Sequence, residues 1–99
     1  KKVLKKGDIV NVDVTVEKGG YIGDSSKMFC VGQVAPHAQR LVDITQQALY
    51  QAIRQVKPGS TLGDIGFTIQ EYAETNHYSV VREFCGHGIG QKMHEEPQV

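Results

Sequence analysis

The sequence predicts an α+β fold: an antiparallel-rich sheet carrying two helices on one face. Three observations predict it. Residues 9–16 alternate strictly between β-branched apolar and polar side chains, and residues 36–56 carry an apolar stripe at helical spacing. The elements run strand, strand, helix, helix, strand and then a polar loop, an order that suits an α+β class.

The first strand reads Ile9-Val10-Asn11-Val12-Asp13-Val14-Thr15-Val16. Side chains two apart share a face, so Val10, Val12, Val14 and Val16 form one face and Ile9, Asn11, Asp13 and Thr15 the other. Glu17-Lys18-Gly19-Gly20 holds residues that tolerate positive φ, which predicts a hairpin turn. Residues 21–30 are then expected to return alongside, bulged near Gly23.

Pro36 opens a helix expected to reach about Val56. Leu41, Ile44, Ala48, Leu49, Ala52, Ile53 and Val56 recur three or four apart on it, and Lys57-Pro58-Gly59 stops it. Ser60 or Thr61 can cap a second helix, with Asp64 placed to reach back to the first-turn amides. Leu62, Ile65, Ile69, Tyr72 and Ala73 supply its apolar face, and Asn76-His77 ends it. Residues 78–84 are expected to form a third strand. The polar remainder, 85–99, begins with alternating glycines, and Pro97-Gln98-Val99 looks like the start of another strand.

The chain of 99 residues has room for one small domain. Its 11 basic and 11 acidic residues cancel, which argues against broad electrostatic attraction to nucleic acid or to an anionic membrane. No apolar run approaches the roughly 18 residues needed to span a bilayer. The basic start leads into Gly7-Asp8 and not into an apolar segment, so it does not read as a signal peptide. Two cysteines, Cys30 and Cys85, are too few for a disulfide framework and read as free thiols of a reducing, cytoplasmic setting.

The chemistry-bearing residues are few. Asp13 interrupts a valine-rich strand, where an acid is out of place unless it has a partner or faces solvent. Asp24 follows in Gly23-Asp24-Ser25-Ser26, and a turn at Gly19-Gly20 can bring the two carboxylates close on paired strands. Such a pair repels without a cation. Either acid alone is as well read as an ordinary surface or turn residue; the pair is better evidence. His87 lies between glycines in Cys85-Gly86-His87-Gly88-Ile89-Gly90, and His94 opens His94-Glu95-Glu96-Pro97. Neither segment is a dinucleotide fingerprint or a His-Glu-x-x-His zinc helix. Two aspartates with an imidazole suit hard or borderline divalent ions, and paired ions can polarise water for hydrolysis.

Four stretches together carry a specific resemblance: Gly7-Asp8-Ile9-Val10-Asn11-Val12-Asp13-Val14, Gly23-Asp24-Ser25-Ser26-Lys27-Met28-Phe29, Cys85-Gly86-His87-Gly88-Ile89-Gly90 and His94-Glu95-Glu96-Pro97. They resemble the type I methionine aminopeptidases of bacteria and organelles, metallopeptidases with the pita-bread fold. The resemblance implies that Asp13 chelates one of two divalent metal ions (Co, Mn, Fe or Zn), that Asp24 bridges both, and that His87 binds the second. It implies that His94 contacts the scissile peptide as a catalytic and substrate-binding group, and that Met93 lines the methionine side-chain pocket. The substrates would be the N-termini of nascent polypeptides, with ribosome association a further expectation.

The resemblance also implies two further glutamate ligands beyond the His94 motif and an assisting histidine before Lys1. Residues 1–99 are therefore expected to be one incomplete catalytic domain, truncated at both ends and inactive alone. Its open strand edges would favour self-association, whereas the complete protein would be a monomer. Two alternatives remain: another pita-bread peptidase, such as a proline-specific aminopeptidase or a prolidase, and a non-catalytic pita-bread module that binds a protein partner.

Overall fold

The structure, a computed structural model, describes residues Lys1–Val99. Two ten-residue strands, β1 (Ile9–Lys18) and β2 (Tyr21–Cys30), form an antiparallel hairpin. Gly19 and Gly20 make its turn with φ of 60° and 81°. Two consecutive positive-φ residues give the turn a twist that matches the strands, and only glycine adopts that conformation freely. The register runs without interruption from Lys18↔Tyr21 to Ile9↔Cys30. The bulge expected near Gly23 is absent. Gly23 pairs directly with Val16, and a Cβ there would meet Val16 Cγ2 at an ordinary 3.4 Å, so the site needs no backbone irregularity. Backbone bonds between Gly7 N and Val31 O (2.8 Å) and between Val31 N and Asp8 O (2.9 Å) carry the ladder past Ile9.

The helix α1 (Pro36–Gln55) begins with proline in its first turn, and α2 (Leu62–Thr75) packs against it. Ala48, Ala52 and Ala73 are the only buried residues of the chain. Small side chains at that crossing let the two backbones approach closely. The apolar stripe expected on α1 is therefore only partly used, since Leu49 and Ile53 are half exposed at 52% and 53%. Polar contacts finish the pairing. Tyr72 Oη donates to Gln47 Oε1. Arg40 donates to the Asn76 carbonyl at 3.0 Å while its guanidinium lies over the Tyr78 ring at 5.0 Å.

The start of α2 follows the capping logic. The two residues cap one another: Thr61 Oγ1 accepts from Asp64 N at 3.2 Å, and Asp64 Oδ2 accepts from Thr61 N at 2.7 Å.

The largest departure from expectation lies at residues 78–84, which form no strand. No backbone group from Ser79 to Cys85 finds a backbone partner. A strand exists only where a neighbour offers a ladder, and β propensity yields to that context. Val81 and Phe84 project into solvent at 67% and 83% exposure. The order is regained in a second hairpin, β3 (His87–Gly88) with β4 (Glu95–Gln98), so the glycine-rich end of the chain is a small sheet and not a simple loop. The antiparallel strands and two helices are as expected, but the strands divide into two separate two-stranded sheets.

The valine face of β1 is uncovered, with Val12, Val14 and Val16 at 44%, 49% and 57% exposure. The Asn11, Ser26 and Met28 end of the hairpin meets α1 at Val42, Thr45 and Leu49 around a cleft of about 300 Å³.

The capping box sets a test. Hydrogen bonds from the Thr61 amide and then its hydroxyl hold the Asp64 carboxyl below its ordinary value near 3.8. Its contribution is thus present above that value and is lost as the pH falls through the lower folded value. Thr61→Ala should cost about 1 kcal/mol in chemical denaturation. Asp64→Asn should remove the acid-limb change in amide-exchange protection at the start of α2.

Candidate metal centre

The register decides where the two acids stand. Asp13 is opposite Ser26 and Thr15 is opposite Asp24, so Asp13 and Asp24 share one face as diagonal neighbours. Asp13 is exposed and Asp24 half-buried. The side chains around them bond among themselves. Thr15 Oγ1 donates to Asp24 Oδ1 at 3.0 Å, Ser26 Oγ donates to Asn11 Oδ1 at 2.7 Å, and Asn11 Nδ2 donates to Met28 Sδ at 3.4 Å. Thr15 was not singled out in the sequence. The signal was present, however: a two-residue turn at Gly19-Gly20 sets Thr15 across from Asp24.

The two histidines come together on the second hairpin. The His87 and His94 ring centroids are 4.2 Å apart with the planes tilted by 48°. His87 is half-buried and His94 exposed, while Met93 beside it is half-buried. The backbone explains this closeness. A Cβ at Gly88 would collide with the Glu96 carbonyl, and one at Gly90 would lie 2.6 Å from Glu95 Oε2. Gly88 is thus required by contact with the backbone of the returning strand, whereas at Gly90 the neighbour is the movable end of a side chain. Glu95 braces the loop by accepting from the Lys92 amide at 2.9 Å, which makes it a structural carboxylate. The Glu96–Pro97 peptide is cis.

His87 Nδ1 lies 3.0 Å from its neighbour's carbonyl, Gly88 O. A carbonyl can only accept, so this bond selects the tautomer protonated at Nδ1 and leaves Nε2 with its lone pair. A histidine prepared in that way is suited to ligate a cation through Nε2.

One backbone bond, Ile22 N to Gly90 O at 2.7 Å, joins the two hairpins. It docks the histidine-bearing loop at β2, two residues from Asp24. A cleft of about 450 Å³ is lined by His87, His94, Cys85 and Glu95 among others, and neither aspartate lines it. The chain thus brings its donors together as an acid pair and an imidazole pair. No group of three or more His, Cys, Asp or Glu side chains is close enough to hold a metal ion. The chemistry of the donors nevertheless fits divalent ions: two carboxylates on one face supply hard oxygen donors, and an imidazole completes a hard-to-borderline set. Cys30 donates to Gln39 Oε1 at 3.5 Å and both cysteines are free thiols.

An acid pair on one hairpin and a histidine pair on a glycine-rich second hairpin offer oxygen and imidazole donors of the kind that divalent cations accept. Residues 1–99 match metallopeptidase family M24 over their whole length, and the chain belongs to that family. It is 59% identical over 98 residues to the methionine aminopeptidase of Escherichia coli (strain K12), a match covering 99% of this chain and 37% of that relative. The crystal structure of methionine aminopeptidase from Rickettsia prowazekii superposes with a TM-score of 0.95 at 52% identity, covering 98% of this chain and 39% of that one. Prolidase from Pyrococcus furiosus superposes with a TM-score of 0.90 at 25% identity, covering 98% and 29%. The architecture is accordingly that of the pita-bread peptidases. The chain spans a little over a third of the length of the curated relatives it matches, 37% for the Escherichia coli protein.

The tautomer assignment can be checked directly. Nitrogen-15 NMR of the neutral His87 ring in the metal-free protein should show a protonated Nδ1 and an unprotonated Nε2. The opposite pattern would remove Nε2 as the ligating atom.

Proposed function

We propose that the protein containing this chain is a dinuclear-metal aminopeptidase that removes the initiator methionine from newly made polypeptides. Residues 1–99 would form part of its single catalytic domain, acting in the cytoplasm and near the ribosome. The observation that carries the reading is the diagonal Asp13 and Asp24 pair in a family M24 chain that is 59% identical to a methionine aminopeptidase.

Asp13, Asp24 and His87 would hold two divalent ions, of Co, Mn, Fe or Zn, with their closure into one shell brought about by the cations. Such ions supply Lewis-acid polarisation of the substrate carbonyl and a lowered pKa for water. Asp13 and Asp24 would bring the negative charge that retains them, with Asp24 as the ligand shared by both ions. His94 would act as the catalytic group that donates a hydrogen bond to the scissile carbonyl and stabilises the charge that develops there. Met93 would contribute to the wall that receives the methionine side chain, a flexible apolar contact suited to a flexible apolar ligand.

No helix is long and apolar enough to cross a membrane, in keeping with a substrate met in the aqueous phase. The complete protein would be a monomer. The 99 residues alone would be inactive and would associate through the open edges of two small sheets.

A prolidase-like specificity is less well supported, since the prolidase of Pyrococcus furiosus shares 25% identity with this chain against 59% for the methionine enzyme. A purely binding module would have no need of the acid pair.

In the full-length protein, Asp24→Ala should reduce both manganese binding and cleavage of a methionine-alanine-serine peptide by more than about 100-fold, beyond the effect of losing an outer-shell partner. Cleavage by Asp24→Ala at the parental rate would overturn the enzyme reading.

A further inference from the structure

We propose that Thr15 is a positioning residue for Asp24, setting the carboxylate in the orientation in which it receives a divalent cation. The proposal rests on the metallopeptidase reading and adds to it a side chain that ligates nothing itself.

Thr15 and Asp24 are direct cross-strand partners, and the threonine hydroxyl is 3.0 Å from Asp24 Oδ1. An ionised carboxylate only accepts, so the hydroxyl is the donor. Each carboxylate oxygen has two lone-pair sites. Oδ1 therefore keeps one while bonded to Thr15, and Oδ2 keeps both. The hydrogen bond consequently fixes the plane of the carboxylate without consuming its capacity to bridge.

Two further features favour this role. Threonine is β-branched, and its stiff χ1 holds the hydroxyl steady on a strand that is paired along all ten residues. The other polar groups of the face are engaged elsewhere: Ser26 with Asn11, and Asn11 with Met28. Thr15 is thus the side chain that orients Asp24. Without it, Asp24 would be free to rotate about its side-chain torsions, and binding a cation would have to order it.

The test uses the full-length protein with Thr15→Val and Thr15→Ser, titrated with Mn²⁺ alone by isothermal calorimetry. Valine keeps the branched shape and favours strands, so the hairpin is retained, and serine keeps the donor. The expected result is manganese affinity weakened about 10- to 100-fold in Thr15→Val and close to parental in Thr15→Ser. If valine disturbs the hairpin by circular dichroism, Thr15→Ala supplies the hydroxyl-free comparison. Parental affinity in the hydroxyl-free variant overturns the proposal and leaves the metallopeptidase reading standing. Equal weakening in serine and valine also overturns it, because the hydroxyl would then be irrelevant. Failure of the parent itself to bind Mn²⁺ overturns both.

Discussion

Strand register is the constraint on which the rest of this structure depends. In β1 and β2 the side chains alternate between faces, so a slip of one residue would move every side chain of β2 to the other face. Asp24 would then leave Asp13 and take its place behind the sheet, and the valine face would gain a carboxylate. The Gly19-Gly20 turn prevents this by joining the strands through two residues in the conformation that only glycine adopts without strain. A backbone preference at the turn thereby determines which charged side chains face one another further along the strands. The register holds two like-charged side chains as diagonal neighbours on one face of the hairpin.

The second hairpin works by a different constraint. There the strands are short and the approach of backbones is what matters: Gly88 and Gly90 leave room for the carbonyl of Glu96 and the carboxylate of Glu95. Closing the loop in this way brings His94 against His87 with tilted rings and gives His87 a carbonyl for its Nδ1 proton. The two hairpins meet through the Ile22 to Gly90 bond, so the imidazole pair is carried to the end of β2 where Asp24 lies. The helices contribute less to the site than to its support. Their contact is made through alanines, and much apolar surface on α1 and on β1 is left open.

Much of this was legible in the sequence. Alternation over residues 9–16, the Gly19-Gly20 turn, the Pro36 start and the Thr61 cap are local signals, written in residues that are neighbours in the chain or one helical turn apart. They led to the hairpin, both helices and the common face of Asp13 and Thr15. The Tyr78-to-Phe84 run misled, because its β-branched and aromatic residues describe a strand while no partner strand is present to complete it. The Gly23 bulge misled for a related reason: glycine permits irregularity, but a neighbouring Val16 at contact distance removes any need for it.

The sequence by itself determined the identity of the donors, the family resemblance and the face on which each strand residue lies, since these follow from residue type and from a period of two along the strand. Only the tertiary structure decided that Thr15 bonds Asp24, that His87 presents Nε2, and that the donors fall into an acid pair and an imidazole pair. Those outcomes depend on side-chain torsions and hydrogen-bond distances, which residue type and the period of the strand do not set. Spacing along the chain sets which residues can meet; the packing of the two hairpins sets which atoms do.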